Sequence, residues 1–198
     1  VNFLAHFYLS ENNPDLITGN FLGDFVTSKQ RSTLERGIAQ GVLLHYAIDD
    51  FTDKHPIVVK GKEMLYPRFS KYAAVISDIY FDYFLAKNWR KYSYIPLEDF
   101  ASYVYATLEK QEHLFDFKAR LTFEHMRKNN WLARYAEFSG IERSLHGIAQ
   151  RAAHANNIGE AAEFLQKNTD FWQKCFDEYF PELVAHAKQT LQKIKSNE

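Results

Sequence analysis

Apolar residues return along most of this chain at intervals of three and four, the period of helices that bury one face. Ile38, Val42, Ala47, Ile48 and Phe51 form one such stripe, and Val75, Ile79, Phe81, Phe84 and Leu85 form another. Capping and helix-breaking residues divide the pattern into elements. Residues 2–10 are expected as a short apolar helix, 11–14 as a turn, and 15–27 as a helix with an acidic start. Ser32 with Glu35 reads as a capping box for a long helix running to about Lys54. The His55-Pro56 step ends it, because a residue before proline avoids the α region. Pro56 then opens a helix to about Phe69, followed by helices over 72–89, 96–114, 117–128 and 141–153. The remainder, 160–193, is helical with a break expected at Pro181, since all five prolines stand singly where helices would start or stop.

No strand pair competes with these helices, and no repeat or Pro/Gly/Ser-rich linker divides them. The expected fold is therefore all-α, a single compact multi-helix domain over residues 1–198, with the tail after about residue 187 extending the last helix. Two Gly-x-x-x-Gly steps, Gly19/Gly23 and Gly37/Gly41, would let helix backbones approach closely.

Composition changes this picture little. The 17 Phe and 12 Tyr favour tight helix packing and leave room for a homo-oligomer. A formal charge of −1 gives no global reason to expect nucleic acid as a partner. The longest uncharged run, residues 37–48, is too short for a membrane span. The first ten residues lack the basic leader of a signal peptide, and the lone Cys175 fits a reducing compartment, so the expected location is cytoplasmic.

The chemistry concentrates in the first four main helices. His45 and Asp49 stand four apart and share a face, with Asp53 one turn further along. Asp78 and Asp82 repeat the spacing in an aromatic setting, where two carboxylates on one face would repel unless a cation or donor compensates. His6 and Asp24 each sit among hydrophobic neighbours. Taken singly, a histidine or aspartate there is more often a hydrogen-bonded core residue than a ligand; together with His45, Asp49, Asp78 and Asp82 they point to a metal site. Mixed imidazole and carboxylate ligands leave Mn²⁺, Mg²⁺, Fe²⁺ and Zn²⁺ open. His55, His113, His125, His146, His154 and His186 read as surface or supporting groups. P-loop, Gly-x-Gly-x-x-Gly, His-Glu-x-x-His, Gly-x-Ser-x-Gly and Glu-x-x-His patterns are all absent, so water activated by a metal is the nucleophile to look for.

Several of these residues fall into a longer ordered pattern. It comprises Asn2-Phe3-Leu4-Ala5-His6, Gly19-Asn20, Asp24-Phe25-Val26, His45-x-x-x-Asp49, Thr52-Asp53 and Pro56. It continues through Asp78-x-x-x-Asp82, Phe84-Leu85, Trp89, Trp131-Leu132, Arg134-Tyr135 and Leu145-x-Gly147-x-x-x-Arg151. This pattern resembles the acyl carrier protein phosphodiesterase family, also called acyl carrier protein hydrolyase, a divergent branch of the HD phosphohydrolases. The resemblance implies an HD-phosphohydrolase-like helical fold. It also implies hydrolysis of the 4′-phosphopantetheine arm from the serine of holo acyl carrier protein, with Mn²⁺ as the favoured metal. On that reading His6, Asp24, His45, Asp49 and Asp78 hold the metal. Asp24, Asp53, Asp78 and Asp82 serve the chemistry or support it, and Arg134 and Arg151 grip the phosphate or the carrier. The partner would be an acidic carrier, for which Lys54, Lys60, Lys62, Arg68 and Lys71, or Arg127 with Lys128, offer basic surface. Two other readings stay open: an HD-like enzyme acting on a nucleotide or other small phosphodiester, and a non-enzymatic helical binding module.

Overall fold

The computed structural model describes residues 2–152 and 157–196. Its helices, in chain order, are α1 (Phe3–Tyr8), α2 (Pro14–Leu22), α3 (Ser28–Arg31), α4 (Arg36–Lys54), α5 (Pro56–Phe69) and α6 (Ala73–Lys87). They continue with α7 (Leu97–Lys110), α8 (Phe117–Lys128), α9 (Trp131–Arg134), α10 (Phe138–Arg151), α11 (Ala161–Lys167) and α12 (Thr169–Ser196). No strand occurs among the described residues, so the all-α expectation holds. No helix of the described residues is long and apolar enough to cross a membrane.

The glycine steps explain how the two central helices meet. A Cβ on Gly19 would lie 1.9 Å from the Ile38 carbonyl oxygen, and one on Gly41 would lie 2.6 Å from that of Leu16. The backbones of α2 and α4 therefore touch where they cross, and any larger residue would push them apart. Around this pair, α12 lays an aromatic face across α4, α5 and α6. Trp172 meets Tyr80 edge-on with centroids 4.9 Å apart, and Tyr179 meets Phe81 at 5.0 Å. Burying such rings is worth about 1.5–3 kcal/mol each, and this accounts for the richness in Phe and Tyr.

Three local expectations are corrected. The Ser32–Glu35 capping box does not form: Ser32 closes α3, and Glu35 precedes α4 without a side-chain cap bond. The reciprocal box is instead Thr27 with Gln30, which opens α3. Prolines do not all mark helix ends, because Pro67 lies inside α5 and Pro181 inside α12. The helix runs through Pro181 because its flanks, Tyr179, Phe180 and Leu183, are buried, and that packing offsets the lost N–H and the ring clash. The break falls at Asn168, between α11 and α12, where the side-chain amide donates to the Phe164 carbonyl. His55, expected as a surface or supporting group, is buried. Its Nδ1 accepts from the Ile57 N–H as the cap of α5, and its Nε2 lies 3.3 Å from Glu182 on α12. Ala153 and His154, expected at the end of α10, lie outside the described residues, as does the side chain of Arg151.

Candidate metal centre

The centre is assembled where α1, α2, α4 and α6 converge. Helix α1 is only six residues long, too short to be stable alone, and its N-terminus is held by a carboxylate from another element. Asp82 on α6, fully buried, accepts the Asn2 and Ala5 N–H groups on Oδ1 (both 3.2 Å) and the Leu4 N–H on Oδ2 at 2.8 Å. Burial pushes the Asp82 carboxyl up to about 7, against the pull of these N–H donors. After α1 the chain reverses through Glu11 and Asn12, both left-handed (φ 52° and 55°), and Asn13 caps α2 by accepting the Asp15 and Leu16 N–H groups. The reversal sets α2 beside α1, with His6 facing Asn20.

Both histidines are oriented through Asn20. Its amide nitrogen donates to the His6 carbonyl at 2.9 Å and to Ser10 Oγ at 3.1 Å, which leaves its side-chain oxygen to accept from His6 Nδ1 at 2.7 Å. The Asn20 backbone carbonyl accepts from His45 Nδ1 at 2.9 Å. The rings stack at 4.4 Å, both buried, and Gly23 makes room for the second: a Cβ there would stand 2.2 Å from His45 Cγ.

With each Nδ1 donating inward, the two Nε2 atoms face Asp49. His6 Nε2 lies 3.2 Å from Asp49 Oδ1 and His45 Nε2 lies 3.0 Å from Asp49 Oδ2, with Asp24 Oδ1 a further 3.4 Å from His45 Nε2. In neutral imidazoles these nitrogens present lone pairs to carboxylate lone pairs, an arrangement that only a cation between them makes attractive. A proton can play that part. Burial disfavours charge on His45, but hydrogen bonding to Asp24 and Asp49 and their negative charge outweigh it and raise the imidazole to about 9. Burial likewise opposes charge on Asp49, yet the two histidines hold its carboxyl far below the usual carboxylate range. A divalent metal fits the same place: one atom each from His6, His45 and Asp49 lies within 4.8 Å of the others, with second-ring nitrogens already fixed by hydrogen bonds as metal-bound histidines require.

His6, His45 and Asp49 open onto a cavity of about 320 Å³ whose wall also carries Asn2, Phe3, Asn20, Asp24, Thr52, Asp53 and Asp78. The sequence of residues 1–183 matches the acyl carrier protein phosphodiesterase family. The chain belongs to that family. A protein named acyl carrier protein phosphodiesterase from Enterobacter sp. (strain 638) is 29% identical over 191 residues, which is 95% of this chain and 98% of the relative. Others of that name are 24% identical in Photorhabdus laumondii subsp. laumondii (95% of this chain, 96% of the relative) and 27% identical in Klebsiella pneumoniae subsp. pneumoniae (95% and 98%). No solved structure matches.

Set out residue by residue, the centre of this family member draws on part of the expected set. His6, Asp24, His45 and Asp49 come together, with Asp24 exposed and the histidines buried. Asp78 lines the same cavity half-buried, and its carboxyl is raised by burial. Asp53, at the cavity edge, is paired with Lys62 at 2.9 Å. Asp82 is turned to the start of α1 and does not line the cavity. Arg134 ends α9, exposed and away from the cavity wall, and the backbone of Arg151 closes α10. The basic groups considered for docking are partly committed: Lys54 pairs with Asp50, Arg68 with Glu160 and Arg127 with Glu109. Sequence reasoning assigned no role to Asn20, although it lies within a segment that carried the family resemblance, and it read Gly23 only as part of a helix-packing step.

Proposed function

We propose that this protein is a metal-dependent phosphodiesterase that hydrolyses the 4′-phosphopantetheine arm from the serine of holo acyl carrier protein. The products are the apo carrier and 4′-phosphopantetheine. The names of its relatives support the substrate, and one observation supports the chemistry: two Nε2 atoms and both Asp49 oxygens face each other within 3.2 Å, with each Nδ1 occupied elsewhere. His6, His45 and Asp49 would hold the ion, joined by Asp24 from the cavity wall, while Asp78 in the same wall serves as a ligand or as the base. When bound, a divalent ion supplies Lewis acidity toward water and toward the phosphoryl oxygens, and Mn²⁺ is the ion we favour.

The remaining work belongs to the chain. Water adds to phosphorus, the bond from phosphorus to the serine oxygen breaks, and a proton ends on that oxygen. Asp78, with its carboxyl raised by burial, is suited to take the proton from water. Lys62 balances the charge of Asp53 on the cavity wall, which lessens repulsion of an anionic arm there. Arg134 and Arg151 would grip the phosphate or the carrier, and the exposure of Arg134 away from the cavity wall favours the carrier for that residue. The reading includes an HD-phosphohydrolase-like fold and action on a carrier in the cytoplasm.

Incubating holo carrier with Mn²⁺ and protein, then weighing the carrier by mass spectrometry, tests the proposal. Loss of the arm is expected, with Asp49→Asn and His45→Ala reduced about 100-fold or more, as removal of a metal ligand should do. An intact arm beside turnover of a small phosphodiester would overturn the substrate. Equal metal content in parent and both variants would overturn the centre.

A further inference from the structure

Asn20 is 1% exposed and spends every polar atom of its side chain, plus its carbonyl, on the two histidines and on Ser10. Its side chain bridges α1 to α2, since the amide reaches the His6 carbonyl and Ser10 Oγ, and Ser10 Oγ itself donates to the His6 carbonyl at 2.9 Å. That triangle fixes which way the amide points, because a carbonyl must receive the N–H₂ side. The amide oxygen is thereby forced toward His6 Nδ1. His45 is served differently, by the main-chain carbonyl of the same residue. Gly23, one turn on along the chain, keeps the space that lets the His45 ring reach that carbonyl.

We infer that Asn20 is the positioning residue of the centre, setting both imidazoles to present Nε2 to the metal: His6 through its side chain, His45 through its backbone. The inference deepens the metal reading above and rests on it. Asn20 acts through the ligands, because its side-chain polar atoms are spent on His6 and Ser10 and its carbonyl on His45. The split between side chain and backbone gives the role a signature, because replacing the side chain should release His6 and leave His45 held.

The test uses full-length protein stripped with chelator, then loaded with Zn²⁺ for NMR or titrated with Mn²⁺ for affinity. In the parent, two slowly exchanging imidazole Nδ1–H protons are expected, one from each histidine, with both rings bound through Nε2. Asn20→Leu, nearly isosteric and without polar atoms, should lose the His6 proton only and bind Mn²⁺ about 10–100-fold more weakly, the usual cost of removing a partner of a metal-bound histidine. Asn20→Asp keeps an oxygen toward His6 Nδ1 and should recover that proton and part of the affinity, at a cost in folding stability because its second oxygen faces the His6 carbonyl. A folded Asn20→Leu with both protons present, or with affinity within about threefold of the parent, would overturn the inference. Should that variant not fold, the parent spectrum decides alone: His6 bound through Nδ1 refutes the assignment, and His6 bound through Nε2 with a protected Nδ1–H upholds it. A parent that takes up neither ion would sink the metal reading together with this one, whereas a metal-binding parent matched by Asn20→Leu sinks this one only.

Discussion

Under the proposed metal reading, His45 is the residue on which proton and cation would compete. Its imidazole is raised from 6.5 to about 9, burial being outweighed by Asp24 and Asp49. A folded-state value above the unfolded one means that the native protein binds the proton more tightly. The resulting stability is complete below pH 6.5 and is lost as pH rises through about 9. Asp49 has the opposite sign: its carboxyl is depressed, so its contribution is present above its ordinary 3.8 and lost as pH falls. Chelator-treated protein should therefore melt at progressively lower temperature between pH 6.5 and 10, while His45→Gln should show a flatter profile over that range. Parallel profiles in thermal melts would show that the imidazole gains nothing from its carboxylate neighbours. Metal uptake should strengthen over the same interval, because a ligand nitrogen must first give up its proton.

Among the elements, α1 is the one whose existence depends most on another. Its six residues carry His6, and the Asp82 carboxylate of α6 supplies acceptors for three N–H groups at its start. Asp82→Asn keeps an oxygen for Asn2 and Ala5 but turns an amide N–H₂ toward the Leu4 N–H, leaving a buried donor unsatisfied. The expected cost is about 1–3 kcal/mol in urea unfolding, with weaker metal binding because His6 moves with its helix. A loss below about 0.5 kcal/mol, the range of an ordinary surface change, would show that α1 does not need this cap. The pattern of the chain reveals some of this and hides the rest. The i, i+4 spacing of His45 and Asp49 is visible because one helix carries both. Asp78 and Asp82 share that spacing, yet one helical turn, about 5.4 Å, is enough for Asp78 to line the cavity while Asp82 caps α1. His6 and Asp24 lie on separate short segments, so no periodicity joins them to His45; the concentration of His and Asp in the first helices points to them, and the family resemblance adds the ligand assignment. Asn20 leaves no signal in a pattern of polar and apolar positions, because two of its partners are main-chain carbonyls or ring nitrogens set by tertiary contact. The capping box was placed five residues too late because Ser32–Glu35 and Thr27–Gln30 offer the same chemistry, and the pattern alone does not rank them.

On the scale of the molecule, the centre gathers four helices that the core holds in place by different means. Helices α2 and α4 are locked by backbone contact at Gly19 and Gly41, α1 by its cap on α6, and α4 again by α12 through Thr52 and Tyr179, whose hydroxyls lie 2.6 Å apart. An ion bound between α1 and α4 would add a link that the unfolded chain lacks, so binding energy becomes folding energy. At a metal concentration 100 times the dissociation constant, the gain is about 2.7 kcal/mol for one site. In a chain of 198 residues each kcal/mol raises the melting temperature by roughly 2–4 °C, which predicts an increase of about 5–10 °C. Differential scanning calorimetry with Mn²⁺ should show that increase in the parent, its reversal by chelator, and none of it in Asp49→Asn. An equal rise in Asp49→Asn would mean that the ion stabilises the protein somewhere other than between these helices. No rise in either would mean that the imidazoles and carboxylates serve each other and not a metal.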